Sequence, residues 1–150
     1  MVATKTNIMV SQLLRRKGRQ VYATRPETSV YEALQIMAEK NIGALLVAGP
    51  DGLAGIFSER DYARKVVLQG KSSKDTQVGE IMTRRVYFVR PDNMIEECMV
   101  LMTEQKIRHL PVMEDGQIVG VISIGDVVRE IIEHQGFVIE QLENYITGGR

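Results

Sequence analysis

One stretch of this chain occurs twice, and that repetition limits the folds open to it more than any other feature. Pro26-Glu27-Thr28-Ser29-Val30-Tyr31-Glu32-Ala33-Leu34-Gln35-Ile36-Met37 returns 65 positions later as Pro91-Asp92-Asn93-Met94-Ile95-Glu96-Glu97-Cys98-Met99-Val100-Leu101-Met102. The same offset carries Ile42 to Ile107, Val47 to Val112, Gly55 to Gly120, Ser58 to Ser123 and Asp61 to Asp126. A chain built from two copies of one unit places any site formed by that unit in pairs.

Within each copy the local pattern is legible. Val30, Ala33, Leu34 and Met37 fall at i, i+3, i+4 and i+7, as an amphipathic helix requires, and Ile95, Cys98, Met99 and Met102 repeat that phase. Each helix follows a proline and a candidate N-cap: Thr28 or Ser29 in one copy, Asn93 in the other. Short apolar runs, Ala44 to Val47 and Leu110 to Met113, then lead into turns built on Pro50-Asp51-Gly52 and Glu114-Asp115-Gly116. With the runs through Gly55-Ile56-Phe57 and Gly120-Val121-Ile122 they predict a β-hairpin in each copy.

A second helix is expected from Ser58 to about Gln69, stopping at Gly70, and another from Ser123 that meets Gly136. Beyond Gly136, Ile139, Leu142 and Ile146 extend a helical stripe to a stop at Gly148-Gly149. Ahead of each proline, Val21-Tyr22-Ala23 and Val86-Tyr87-Phe88-Val89 read as short strands, so each unit is β-α-β-β-α. Val10-Ser11-Gln12-Leu13-Leu14 opens the first copy and Val78-Gly79-Glu80-Ile81-Met82 the second, here at an offset of 68. The expected division is an N-terminal extension over 1–9, repeat 1 over 10–70, a polar linker over 71–77, repeat 2 over 78–133 and a C-terminal helical extension over 134–150.

Composition narrows the function classes. At 150 residues and 44% apolar, the chain can bury a sizeable core. Lys and Arg total 19 and so do Asp and Glu, leaving no global field to draw nucleic acid or an anionic membrane. The single cysteine, Cys98, cannot close an internal disulfide and falls on a helix's apolar stripe, as a core thiol would. No apolar run nears the roughly 18 residues of a membrane span, and Met1 to Met9 lacks the long apolar region of a secretory signal. These features predict a cytoplasmic protein.

The repeated Gly-x-x-Ser-x-x-Asp, present as Gly55-Ile56-Phe57-Ser58-Glu59-Arg60-Asp61 and Gly120-Val121-Ile122-Ser123-Ile124-Gly125-Asp126, resembles that of CBS domains. Val78-Gly79-Glu80-Ile81-Met82 and Arg108-His109-Leu110-Pro111-Val112 do so too, and the resemblance covers roughly residues 10 to 133. It implies an α/β (α+β) fold of two β-α-β-β-α CBS repeats, a Bateman module, packed through their sheets with pseudo-twofold symmetry around two clefts. Such clefts take adenosine-containing ligands: AMP, ADP, ATP, NAD or S-adenosylmethionine. By this resemblance Asp61 and Asp126 hold ribose hydroxyls, and Ser58, Ser123, Arg60, Arg64, Arg108 and His109 meet phosphates. Ala44 and Pro111, on the strands entering the hairpins, complete the ligand-binding set. The resemblance also implies a homodimer.

The same residues carry plainer readings. A Ser at a helix start followed three residues later by Asp is a capping pair, with the acid complementing the helix dipole. Arg60 and Arg64, one turn apart, suit either a phosphate or a solvated helix face. The second motif has Ile124-Gly125 where the first has Glu59-Arg60, and Arg108-His109 stand where the first copy has Gly43-Ala44, so the two clefts should differ in charge.

Several sharper possibilities fail. Gly70-Lys71-Ser72 resembles the end of a phosphate loop, but Lys65 holds the position of its first glycine. No G-x-G-x-x-G follows a strand. His109, His134 and one cysteine cannot build a standard structural zinc site, and no nucleophile elbow supports a triad. The expectation is therefore a regulatory adenine-nucleotide module, not an enzyme, acting on a partner protein in trans. The alternative is a structural or oligomerisation protein with vestigial clefts. The Arg-rich first copy argues mildly against the cationic S-adenosylmethionine there.

Overall fold

A computed structural model describes the backbone of residues 6–146 and the side chains of residues 6–136. The chain divides into two compact units, Val21–Tyr87 and the combination of Met1–Gln20 with Phe88–Arg150.

In the unit Val21–Tyr87, β1 (Ala23–Thr24) runs parallel to β2 (Ala44–Gly49), which pairs antiparallel with β3 (Gly52–Ser58). Helix α2 (Val30–Lys40) buries Val30, Ala33 and Met37, the phase its sequence predicts. Ser29 is its N-cap, the Oγ accepting from Glu32 N at 3.1 Å. It ends at Asn41 in the left-handed region, a conformation asparagine tolerates. The core joins these residues to Leu45, Val47, Phe57 and Val66.

Helix α3 is short, Glu59–Tyr62, and passes into a π-helical turn over Ala63–Val67, where the expected element was one regular helix. Leu68 N reaches Ala63 O at 3.0 Å, the i→i+5 bond of a π turn. The predicted stop at Gly70 is observed, with φ +68 and Lys71 N bonded to Val66 O at 2.9 Å.

The unit is closed by a segment that the sequence assigns to the opening of the second repeat. Helix α4 (Val78–Ile81) puts Val78, Ile81 and Met82 into the same core as Val30 and Phe57. The polar stretch before it is tied down as well, since Val30 N donates to Thr76 O and Tyr31 N to Ser73 O.

The other unit mirrors this arrangement. Helix α5 (Ile95–Gln105) buries Ile95, Cys98 and Met102. Its N-cap is Met94 rather than the expected Asn93, and Met94 N donates to Glu97 Oε1 at 2.7 Å. Asn93 instead accepts from Arg90 N through Oδ1, closing the turn before the helix. Strands β4 (His109–Glu114) and β5 (Gln117–Ser123) pair as β2 and β3 do, with the bulge at the equivalent place, Val112/Met113 matching Val47/Ala48. Asp115 and Gly116, both at positive φ, form the tight turn. The leading helix α1 (Val10–Lys17) buries Val10, Leu13 and Leu14 here, with Val10 N bonded to Asn93 O. The two sequence repeats thus exchange their leading helices.

One further expectation is corrected. The strand expected over 86–89 shrinks to a single parallel bridge, Val89 with Val112. The cause is Pro111, which occupies the place of Leu46: Leu46 N donates to Tyr22 O, and a proline has no N–H to make that rung. Helix α6 runs unbroken over Ile124–Ile146 and carries Gly136 in its interior. An interior glycine costs only about 1 kcal/mol relative to alanine. The stop at Gly148-Gly149 and the side chains of Ile139, Leu142 and Ile146 lie outside what is described.

Candidate functional site

Each hairpin ends in a serine that caps a helix, and each helix carries the motif aspartate in its first turn. At the end of β3, Ser58 Oγ accepts from Asp61 N at 3.2 Å, and Asp61 Oδ2 accepts from Ser58 N at 3.0 Å and from Ser58 Oγ at 3.1 Å. Asp61 is buried, and its other oxygen is also engaged. Oδ1 accepts from Thr83 Oγ1 at 3.0 Å and pairs with Lys65 Nζ at 2.9 Å. Lys65 reaches it from the π-helical turn and donates as well to Ile81 O at 3.1 Å.

At the end of β5 the same box forms with different partners. Asp126 N donates to Ser123 Oγ at 3.1 Å and Ser123 N to Asp126 Oδ2 at 2.8 Å. Lys17, at the C-terminus of α1, donates to the same Oδ2 at 2.5 Å and to Val121 O at 2.6 Å. Beside it Arg16 pairs with Glu130 at 3.1 Å and with Glu133, fixing α1 to α6. Burial raises the Asp126 pKa, but the Lys17 hydrogen bond, the Ser123 N–H and the Lys17 charge outweigh it and hold the carboxyl below its ordinary value.

The other sequence-predicted residues flank these boxes. His109 pairs with Ser123 in the β4–β5 register, and Ala44 pairs with Ser58 in β2–β3, so the two positions are equivalent. His109 is half-buried, and burial, then the charge of Lys17, lower its pKa; Asp126 opposes that and Arg108 adds to it. Arg108 is exposed, and its carbonyl accepts from Ile124 N at 2.9 Å. Pro111 is buried opposite Val121. Arg60 and Arg64 are exposed on the turn that carries Asp61. Ser58, Arg60, Asp61, Arg64 and Ala44 therefore share one unit, and Arg108, His109, Pro111, Ser123 and Asp126 share the other.

Sequence reasoning missed Lys17, Lys65 and Thr83. Lys65 was readable, standing four residues after Asp61 on one helical face. Thr83 and Lys17 lie 22 and 109 residues from the carboxylates they meet, and no local pattern marks them. Among the described residues, no group of three His, Cys, Asp or Glu is placed to hold a metal ion, and no helix is long and apolar enough to cross a membrane.

The family model of the CBS domain matches residues 10–68 and 78–133, and the chain belongs to that family. The mitochondrial CBS domain-containing protein CBSX3 of Arabidopsis thaliana is 41% identical over 151 residues, covering 97% of this chain and 73% of that one. Among solved structures, a protein with CBS domains from Burkholderia ambifaria MC40-6 is 52% identical, with TM-score 0.81, covering 84% of this chain and 95% of that one. The CBS domain pair of protein MJ0100, in complex with 5′-methylthioadenosine and S-adenosyl-L-methionine, is 27% identical with TM-score 0.73, covering 83% of this chain and 99% of that one.

Proposed function

We propose that this protein is a regulatory module that binds an adenosine-containing ligand, AMP, ADP, ATP or NAD, and adjusts the state of another protein in trans. The observation that carries the reading is the Asp126 turn. A carboxylate kept ionised by Lys17 stands in the first turn of α6, with Arg108 and His109 at the adjacent strand end. A carboxylate accepts hydroxyl hydrogens, and the cations around it suit the phosphate that follows the ribose in a nucleotide. The MJ0100 pair, with its two adenosine-containing ligands, supports the adenosine part of the reading. The phosphate part favours the anionic nucleotides over S-adenosylmethionine, whose sulfonium would face Lys17 and Arg108.

The module works as a binder and not as a catalyst. Ligand favours one arrangement of a homodimer, and the coupling to the partner is no larger than the difference in ligand affinity between the two arrangements. The competing reading is an assembly role for α6, whose Val128 and Ile132 are exposed at 39% and 60%.

A thermal-shift panel of AMP, ADP, ATP, NAD, NADH and S-adenosylmethionine on ligand-free protein tests the proposal. A ligand at a hundredfold excess over its Kd stabilises by about 2.7 kcal/mol. That is a rise of roughly 5–10 °C for a chain of this size. One such rise, lost in Asp126→Ala, is expected. No shift with any compound would overturn the sensor reading in favour of assembly.

A further inference from the structure

We infer that the two motif carboxylates are not equivalent: Asp126 receives the ribose diol, whereas Asp61 is an internal clamp, so the chain takes one adenosine ligand through its ribose. This rests on the adenosine-binding reading above and specifies which copy of the motif serves it.

The argument counts acceptor positions. An ionised carboxylate offers about four lone-pair positions. At Asp61 all are used: Ser58 N and Ser58 Oγ lie on Oδ2, and Thr83 Oγ1 and Lys65 Nζ lie on Oδ1. At Asp126, Ser123 N and Lys17 Nζ fall on Oδ2, the Ser123 hydroxyl is a lesser donor, and among the described residues no hydrogen bond falls on Oδ1. A diol meeting Asp126 adds hydrogen bonds to those present. A diol meeting Asp61 must first expel Thr83 and Lys65, and gains nothing net.

Neither donor at Asp61 gives way easily. Thr83 is held by backbone bonds in both directions, its N and O each 2.9 Å from the O and N of Ile56. Lys65 has a second acceptor in Ile81 O and is aimed by the π-helical turn. The second copy has no counterpart to this clamp. The residue aligned with Thr83 at the offset of 68 is Arg15, which is exposed and forms no hydrogen bond or ion pair with Asp126 among the described residues. Lys17 and Lys65 are alike in that each binds its aspartate and one backbone carbonyl, so the two sites differ through Thr83 and through Oδ1 of Asp126. The Lys17 ammonium has three hydrogens, of which Asp126 and Val121 O take two, leaving one for a ribose or phosphate oxygen.

Isothermal titration with AMP and with 2′,3′-dideoxy-AMP tests this on the full chain and on Asp126→Asn and Asp61→Asn, each checked for folding by circular dichroism. The expected results are one AMP per chain, at least tenfold weaker binding in Asp126→Asn, and a Kd within about threefold of the parent in Asp61→Asn. Removing the ribose hydroxyls should cost the parent about tenfold and cost Asp126→Asn nothing. Two equivalent sites per chain, or AMP binding kept by Asp126→Asn and lost by Asp61→Asn, would overturn the inference and leave the adenosine reading standing. Failure of AMP to bind the unaltered protein would instead remove the reading beneath it. Should Asp61→Asn not fold, Thr83→Val combined with Lys65→Met replaces it. Freeing Oδ1 of Asp61 should then admit a second AMP per chain, and a stoichiometry still at one would count against exclusion by donors.

Discussion

The motif glycines offer a test of how the exchanged helices are seated. A methyl group placed on Gly55 would lie 2.7 Å from the Thr83 carbonyl oxygen, 2.8 Å from Met82 Sδ and 3.1 Å from Met82 Cγ. On Gly120 it would lie 2.7 and 3.0 Å from the two terminal methyls of Leu14. Both clashes are hard, but they differ in what must move. Leu14 Cδ atoms end a rotatable side chain. Thr83 is backbone, bonded through both its N and its O to Ile56, and its Oγ1 holds Asp61. Displacing Thr83 therefore strains two ladder bonds and loosens a hydrogen bond to a buried carboxylate. Overpacking a core costs about 1–3 kcal/mol, and Gly55→Ala should fall at the top of that range, about 3 kcal/mol. Gly120→Ala should fall near the bottom, about 1 kcal/mol, partly offset by the lower chain entropy of alanine in the unfolded state. At roughly 2–4 °C per kcal/mol for a chain of this length, Gly55→Ala should melt roughly 6–12 °C below the parent and Gly120→Ala no more than about 4 °C below. Calorimetric melting with parallel urea titrations measures both. Equal shifts, or a larger one for Gly120→Ala, would refute the placement of Thr83 against Gly55.

Thr83→Val removes a hydrogen bond to an ionised group and should lower stability by about 1.5–3 kcal/mol in urea unfolding; an unchanged midpoint would mean that the Thr83–Asp61 bond does not form. Cys98 is fully buried, and burial, then the charge of Glu97, pushes its thiol up to about 12. The native protein should leave it unmodified by a disulfide reagent at mildly alkaline pH, whereas the urea-unfolded chain should react at its single thiol; rapid native labelling would contradict the burial. His109 binds its proton less tightly when folded than when unfolded, chiefly because it is buried. Between its folded pKa and the ordinary value of about 6.5 the unfolded chain holds more protons, so stability falls as pH falls through that window. His109→Gln should flatten the slope below about pH 6.5, and an identical slope in parent and variant would show that burial of His109 does not oppose its protonation.

How far the sequence reaches depends on how local each cause is. Helices α2 and α5 follow from apolar residues three and four apart, and the hairpins from Asp-Gly turns that accept positive φ. The Ser–Asp boxes close within three residues, so their positions, and the equivalence of Ala44 with His109, were fixed by the repeat. Even the loss of the strand before Pro91 was implicit in Pro111, a proline where Leu46 gives its N–H. What lay beyond the sequence was decided between distant segments. The pattern of Val10–Lys17 and Val78–Ile81 shows two amphipathic turns but not which core each enters. Burial chose the exchange, seating Leu14 against Gly120 and Met82 against Gly55. The same exchange delivers Lys17 to Asp126 and Thr83 to Asp61. Two identical motifs are thereby given different chemistry, because a carboxylate's remaining acceptor capacity depends on every donor folding brings to it, near or far in the chain.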